Sequence, residues 1–143
     1  MNKHAQEALR LHAETGANCA SAVAAAFGDV TGLDFETSSR LASSFGGGMG
    51  RLGQACGAFS GALIVYGFLF GPTGGEGKAE HYEKVRSMAA EFSARCGALN
   101  CPDLLGPELY TPADADALSR RKTLCSGFIA AACDLLDEYI ARG

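Results

Sequence analysis

From Ala55 to Phe70 the chain reads ACGAFSGALIVYGFLF and carries no charged residue. The run is too long for an ordinary strand and is apolar on every side. It therefore predicts a helix buried all round, with the other elements packed against it. Its length lies near the lower limit of roughly 17 residues for a membrane span. Only one such segment occurs, so a central helix in a water-soluble core is the better reading. Gly53, Gly57 and Gly61 follow at i, i+4 and i+8 and are expected on one helix face. Glycine costs a helix about 1 kcal/mol against alanine. Three in a row imply that another backbone comes close there.

The rest of the chain repeats apolar residues at helical spacing, and no alternating pattern with turn punctuation marks a strand. Ala5, Ala8, Leu9 and His12 share a face of a first helix, which Gly16 stops. Asn18 caps a second helix, which Gly28 or Gly32 closes. Asp34 caps a third, broken by Gly46. After the Gly71–Gly77 linker, a fifth helix carries Tyr82, Val85, Met88, Ala89 and Phe92 on one stripe and ends near Cys96. CPDLLG is a short helical turn with Pro102 at its first position. Pro107 to Lys122 reads as irregular, and a last helix begins near Leu124. The expected fold is all-α: one domain over residues 1–143, an irregular bundle of five or six helices around the apolar, glycine-containing one.

Charge and composition exclude several functions. The net charge is −4 and there is no Trp, which speaks against nucleic acid as a partner. Gly48 to Gly53 spells G-x-G-x-x-G. A dinucleotide site needs a strand before that loop and a βαβ unit around it. Neither is expected here, and no P-loop lysine follows, so no nucleotide is expected. The N-terminal MNKHAQEALRLHAETG lacks the apolar stretch of a signal peptide. The expected compartment is the cytoplasm, with no membrane insertion. There, six cysteines do not form a plain disulfide framework.

On this helix map Cys19, Cys56, Cys101 and Cys125 all fall at expected helix N-termini, Cys125 after a cap at Ser119 or Thr123. Unpaired N–H groups and the macrodipole favour an anion at such positions, and so lower thiol pKa. Arg51, Arg120, Arg121 and Lys122 add positive charge near Cys56 and Cys125. Cys96, beside Gly97, and Cys133, in the middle of the last helix, read as packing residues. Cys96 is also close enough in sequence to Cys101 for a disulfide. The chain contains no C-x-x-C and no C-x-x-C-H, so neither a thioredoxin motif nor covalent haem is expected. The three spacings among these four cysteines are too wide for a zinc finger or a simple ferredoxin, so any shared site must be assembled by the fold.

Cys56 to Gly61 reads C-G-A-x-x-G. GGGMGR precedes it, NCA stands near the start, CPDLLG follows, and a further cysteine opens the expected last helix. Together these resemble the C_GCAxxG_C_C family of small redox-active proteins, over Gly16 to about Ala132. The resemblance implies redox activity through Cys19, Cys56, Cys101 and Cys125 and leaves Cys96 and Cys133 outside the pattern. A related segment occurs beside haem motifs and a proposed iron–sulfur site in split-Soret cytochromes; haem is not carried over to this chain.

Three functions follow as alternatives. In the first, the four cysteines bind a metal or iron–sulfur cluster as thiolates and pass electrons to or from a partner protein. In the second, the same residues are redox thiols without metal, in an oxidoreductase or sensor using a cysteine pair. In the third, a small helical interaction protein, able to form a homodimer, uses its cysteines only for packing. His4, His12 and His81 are expected to be satisfied or solvated, and Asp114, Asp116, Asp134, Asp137 and Glu138 to be solvated or helix-start charges.

Overall fold

A computed structural model describes residues 2–143. Its helices are α1 (Lys3–Thr15), α2 (Cys19–Ala26), α3 (Gly28–Thr31), α4 (Phe35–Ala42), α5 (Gly46–Met49), α6 (Gly57–Phe70), α7 (Lys78–Cys96), α8 (Cys101–Tyr110) and α9 (Ala115–Arg142). No strand occurs among the described residues; a single antiparallel bridge joins Ala55 to Asn100. The all-α class is as expected. The helices outnumber the expected five or six because α3 and α5 are one-turn segments and α2, α4 and α8 are short.

The ends follow local chemistry. Asn2, Asn18, Asp34 and Asp114 each accept a hydrogen bond from the backbone N–H three residues on, which caps α1, α2, α4 and α9. Gly16 and Gly97 close α1 and α7 in the left-handed conformation.

α6 is the buried centre. Ala58, Phe59, Ala62 and Val65 are within it, and α2 packs against it with Ala20, Ala22, Val23 and Ala24. Gly61 makes this approach possible: a Cβ there would lie 2.5 Å from the Ala20 carbonyl oxygen. α7 adds Met88 and Phe92, and α9 adds Ile129, Leu135 and Leu136. No helix of the described residues is long and apolar enough to cross a membrane.

Three sequence readings change. α6 begins at Gly57, not Ala55, with Cys56 as its N-cap. Gly53 therefore lies outside the helix, at φ 74, and faces Pro102 rather than α2. The expected row of three reduces to Gly57 and Gly61. The segment read as irregular is mostly helical, because Asp114 caps α9 at Ala115 and the i,i+4 pair Asp116–Arg120 supports its first turns.

The histidines and acidic residues are largely structural. His4 stacks on Phe27 with centroids 4.0 Å apart and sits between Asp29 and Asp137, each 2.8 Å away. It thereby ties α1 to α3 and α9. Burial pushes the Asp137 carboxyl up, and His4 opposes that. His12 Nδ1–H donates to the Ala17 carbonyl at 2.7 Å. His81 stacks against Tyr66 and is half-buried rather than solvated. Glu138 pairs with Arg95.

Candidate functional site: a four-thiol cavity

Cys19, Cys56, Cys101 and Cys125 line one small cavity, closed by Arg121 and Phe128. The fold brings them there by three local devices. Cys19 is the first residue of α2, placed by the Asn18 cap. Cys56 and Cys101 each follow a residue of the Ala55–Asn100 bridge. The Cys56 N–H donates to the Leu99 carbonyl and the Cys101 N–H to the Gln54 carbonyl, both at 2.9 Å. Each then opens its helix, Cys56 as the N-cap of α6 and Cys101 as the first residue of α8. Cys125 arrives differently. It lies inside α9, which starts ten residues earlier at Ala115. The expected fourth helix N-terminus, with a cap at Ser119 or Thr123, is not present. Ser119 instead accepts a hydrogen bond from Thr123 within the helix.

The glycine loop between α4 and α6 forms one wall. Gly47 and Gly48 have φ of 70° and 75°, so the chain doubles back tightly where a side chain would be strained. A Cβ on Gly48 would lie 2.8 Å from the Cys101 Cβ. A Cβ on Gly57 would collide with the Cys19 sulfur. The glycines of the motif thus clear the volume in which two of the thiols sit. Met49 and Arg51 also adopt positive φ, at 66° and 67°. Non-glycine residues held there carry strain, which gathers at functional loops.

Burial dominates the electrostatics. It pushes all four thiols upward, the reverse of the lowering expected at helix starts. Cys101 rises to about 11, through burial first and then the neighbouring Cys19 and Cys125. Cys56 rises further, through burial and Cys19. Backbone N–H groups do favour the thiolates: that of Gly47 in the glycine loop and that of Ala20 at the start of α2 act on Cys19, and those of Ala58 and Phe59 at the start of α6 act on Cys56. They are outweighed because removing a thiolate from water costs more than a few oriented dipoles return. Arg121 opposes the rise at Cys19, Cys101 and Cys125, and hydrogen-bonds Cys125. The sequence had shown Arg121 as one of three cations before Cys125; only the fold singles it out.

Exposure grades the four. Cys56 and Cys101 are buried, whereas Cys19 and Cys125 are half-buried and also line a wider hollow that opens outward. All six cysteines are free. Cys96 and Cys133 stand apart from the cavity, in the packing around the core, and no Cys96–Cys101 disulfide forms.

The cavity can be tested against the groups that four cysteines suggest. Its volume, about 30 Å³, holds roughly one water-sized body. Four thiolates are a donor set of the kind that thiophilic ions take. No group of three or more His, Cys, Asp or Glu among the described residues is gathered as metal ligands.

Fold and site together define a small all-helical protein with four cysteines around one cavity. The chain belongs to the family described as "Putative redox-active protein (C_GCAxxG_C_C)", whose model matches residues 17–139. No curated protein and no solved structure matches it.

Proposed function

We propose that this is a redox-active protein in which Cys19, Cys56, Cys101 and Cys125 work as one thiol centre, exchanging electrons with disulfides. The observation that carries the reading is that all four line one cavity while two of them also face outward. Cys19 and Cys125 form the outer pair, and Cys56 and Cys101 the inner one. In the exchange, a thiolate of the outer pair attacks one sulfur of a substrate disulfide. A mixed disulfide forms and the first substrate thiolate leaves. A second protein thiolate then attacks the protein sulfur of that bond, closing a protein disulfide and releasing the other substrate thiolate. Two protein thiols are oxidised, the substrate gains two electrons, and the two protons pass to the released thiolates. Arg121 supports the attacking thiolate at Cys125.

The test is stepwise oxidation of the reduced protein with a small disulfide, followed by non-reducing peptide mapping. A reversible bond among these four cysteines is expected, with Cys96 and Cys133 left free. Oxidation that spares the four, or that survives when all four are replaced by serine, sinks the proposal.

A second reading is favoured by one observation: the thiols raise one another, Cys19 acting on the other three. A bound cation would remove that repulsion by taking the place of the protons. The same four residues would hold it, as thiolates. Anaerobic loading with ferrous iron or zinc, with proton release measured, tests this. Stoichiometric binding that the four serine replacements abolish supports it, and equal binding by the replaced protein rejects it.

A further inference from the structure

Beside the thiol cavity lies an open hollow of about 480 Å³, within the range that small ligands occupy. Cys19, Cys125 and Arg121 line both spaces, so the hollow leads to the outer thiols. Arg51, Arg121, Lys122 and His12 line its wall, and among the described residues no carboxylate does. This is unusual against the whole chain, whose net charge is −4.

Most other arginines are matched by acids. Arg10 pairs with Glu7 and Glu14, Arg40 with Glu36, Arg95 with Glu138 and Arg120 with Asp116. Arg51, Arg121 and Lys122 enter no ion pair among the described residues. The contrast is sharpest between neighbours. Arg120 turns to Asp116, while Arg121 turns to the Tyr110 carbonyl at 2.8 Å and to Cys125. Arg51 reaches the hollow from a left-handed backbone position that a glycine would hold with less strain. Asn18 adds an amide beside them; its Nδ2–H donates to the Ser43 carbonyl at 3.0 Å and its oxygen caps α2.

We propose that this hollow recognises small anions and presents an anionic disulfide, one bearing carboxylates on either side of its S–S bond, to Cys19 and Cys125. The inference rests on the thiol-exchange reading for the fate of the ligand, but its recognition half stands on the unpaired cations alone. A carboxylate held by Arg51 and Lys122 at the rim would set the S–S bond toward the floor. There Cys125 carries out the exchange already described, two electrons passing from two protein thiols to the disulfide.

Three small disulfides of similar size separate charge from chemistry: dithiodipropionate, hydroxyethyl disulfide and cystamine, respectively anionic, neutral and cationic. Each rate is divided by that of free cysteine with the same disulfide. The expected order is anionic over neutral over cationic, with about a tenfold advantage of the anion over the neutral compound at low salt. The advantage shrinks as ionic strength rises. The Arg51→Gln/Lys122→Gln double variant abolishes the preference; Arg51→Lys/Lys122→Arg, which keeps the charges, retains it. Equal normalised rates for the three disulfides, or an undiminished preference in the double glutamine variant, overturn the proposal.

A second measurement keeps this distinct from the redox reading. Adipate, a dicarboxylate with no S–S bond, is expected to slow alkylation of Cys19 and Cys125 by neutral iodoacetamide in the parent and not in the double glutamine variant. Protection without any disulfide exchange upholds the anion site and rejects the redox reading. Exchange without charge preference or protection does the opposite.

Discussion

Arg121 touches several parts of the site. It donates to the Tyr110 carbonyl and lies 6.0 Å from the Tyr110 ring centroid. The Tyr110 hydroxyl in turn donates to the Gly47 carbonyl at 3.2 Å, in the glycine loop. One arginine thus links α9, α8 and the loop while facing three thiols. Its charge favours thiolate over thiol, so Arg121→Gln raises Cys125 and Cys101 beyond what burial already does. Alkylation of Cys125 by iodoacetamide at a fixed, mildly alkaline pH should slow roughly three- to tenfold, since the thiolate is the reacting form. The measurement is mass-spectrometric labelling with time; an unchanged rate at Cys125 in a folded variant removes Arg121 from this role. The four cysteines themselves were legible because three of them do open helices, where residue order carries a local signal. Cys125 follows from the family pattern and not from a helix start. Its place depends on the length of α9, which is set by a cap at Asp114 well upstream.

Among the elements, α2 and α6 set the geometry on which the thiols depend. Their backbones meet at Gly61 and Ala20, one turn beyond the place where Gly57 meets Cys19. Gly61→Ala gains about 1 kcal/mol of helix propensity, yet its Cβ meets main chain, which cannot rotate away. Overpacking of that kind costs about 1–3 kcal/mol. The net expectation is a loss of up to about 2 kcal/mol, read as a lower denaturation midpoint; a midpoint at or above the parent's rejects it. The close approach could be read from glycine spacing because helix periodicity projects i and i+4 onto one face. Gly53 could not be placed, because it serves a non-local partner. The Ala55–Asn100 bridge pairs segments far apart in sequence, and no local pattern announces it. The helix ends at Gly16, Asn18, Asp34 and Gly97 were legible for the opposite reason: each is decided within a few residues.

For the whole molecule, burying several thiols makes stability depend on pH in one direction. Cys56, Cys101 and Cys133 are buried and all are pushed up, each by burial first. In the unfolded chain a thiol ionises near about 8.5. Below that value both states are protonated and the folded protein keeps its full advantage. Above it the unfolded chain loses protons first, so stability falls as pH rises, until the folded thiol also ionises. For Cys101 this window runs from about 8.5 to about 11. Lysines and tyrosines titrate there as well, so the decisive comparison is with Cys101→Ser, whose hydroxyl does not ionise in that range. Urea denaturation under reducing conditions should show the parent losing on the order of 3 kcal/mol more than the variant across the window. Parallel pH profiles would mean that Cys101 ionises alike in both states and that its burial does not govern its charge. A parent gaining stability with pH would mean that a thiolate is stabilised in the folded centre, as Arg121 and a bound cation would together require.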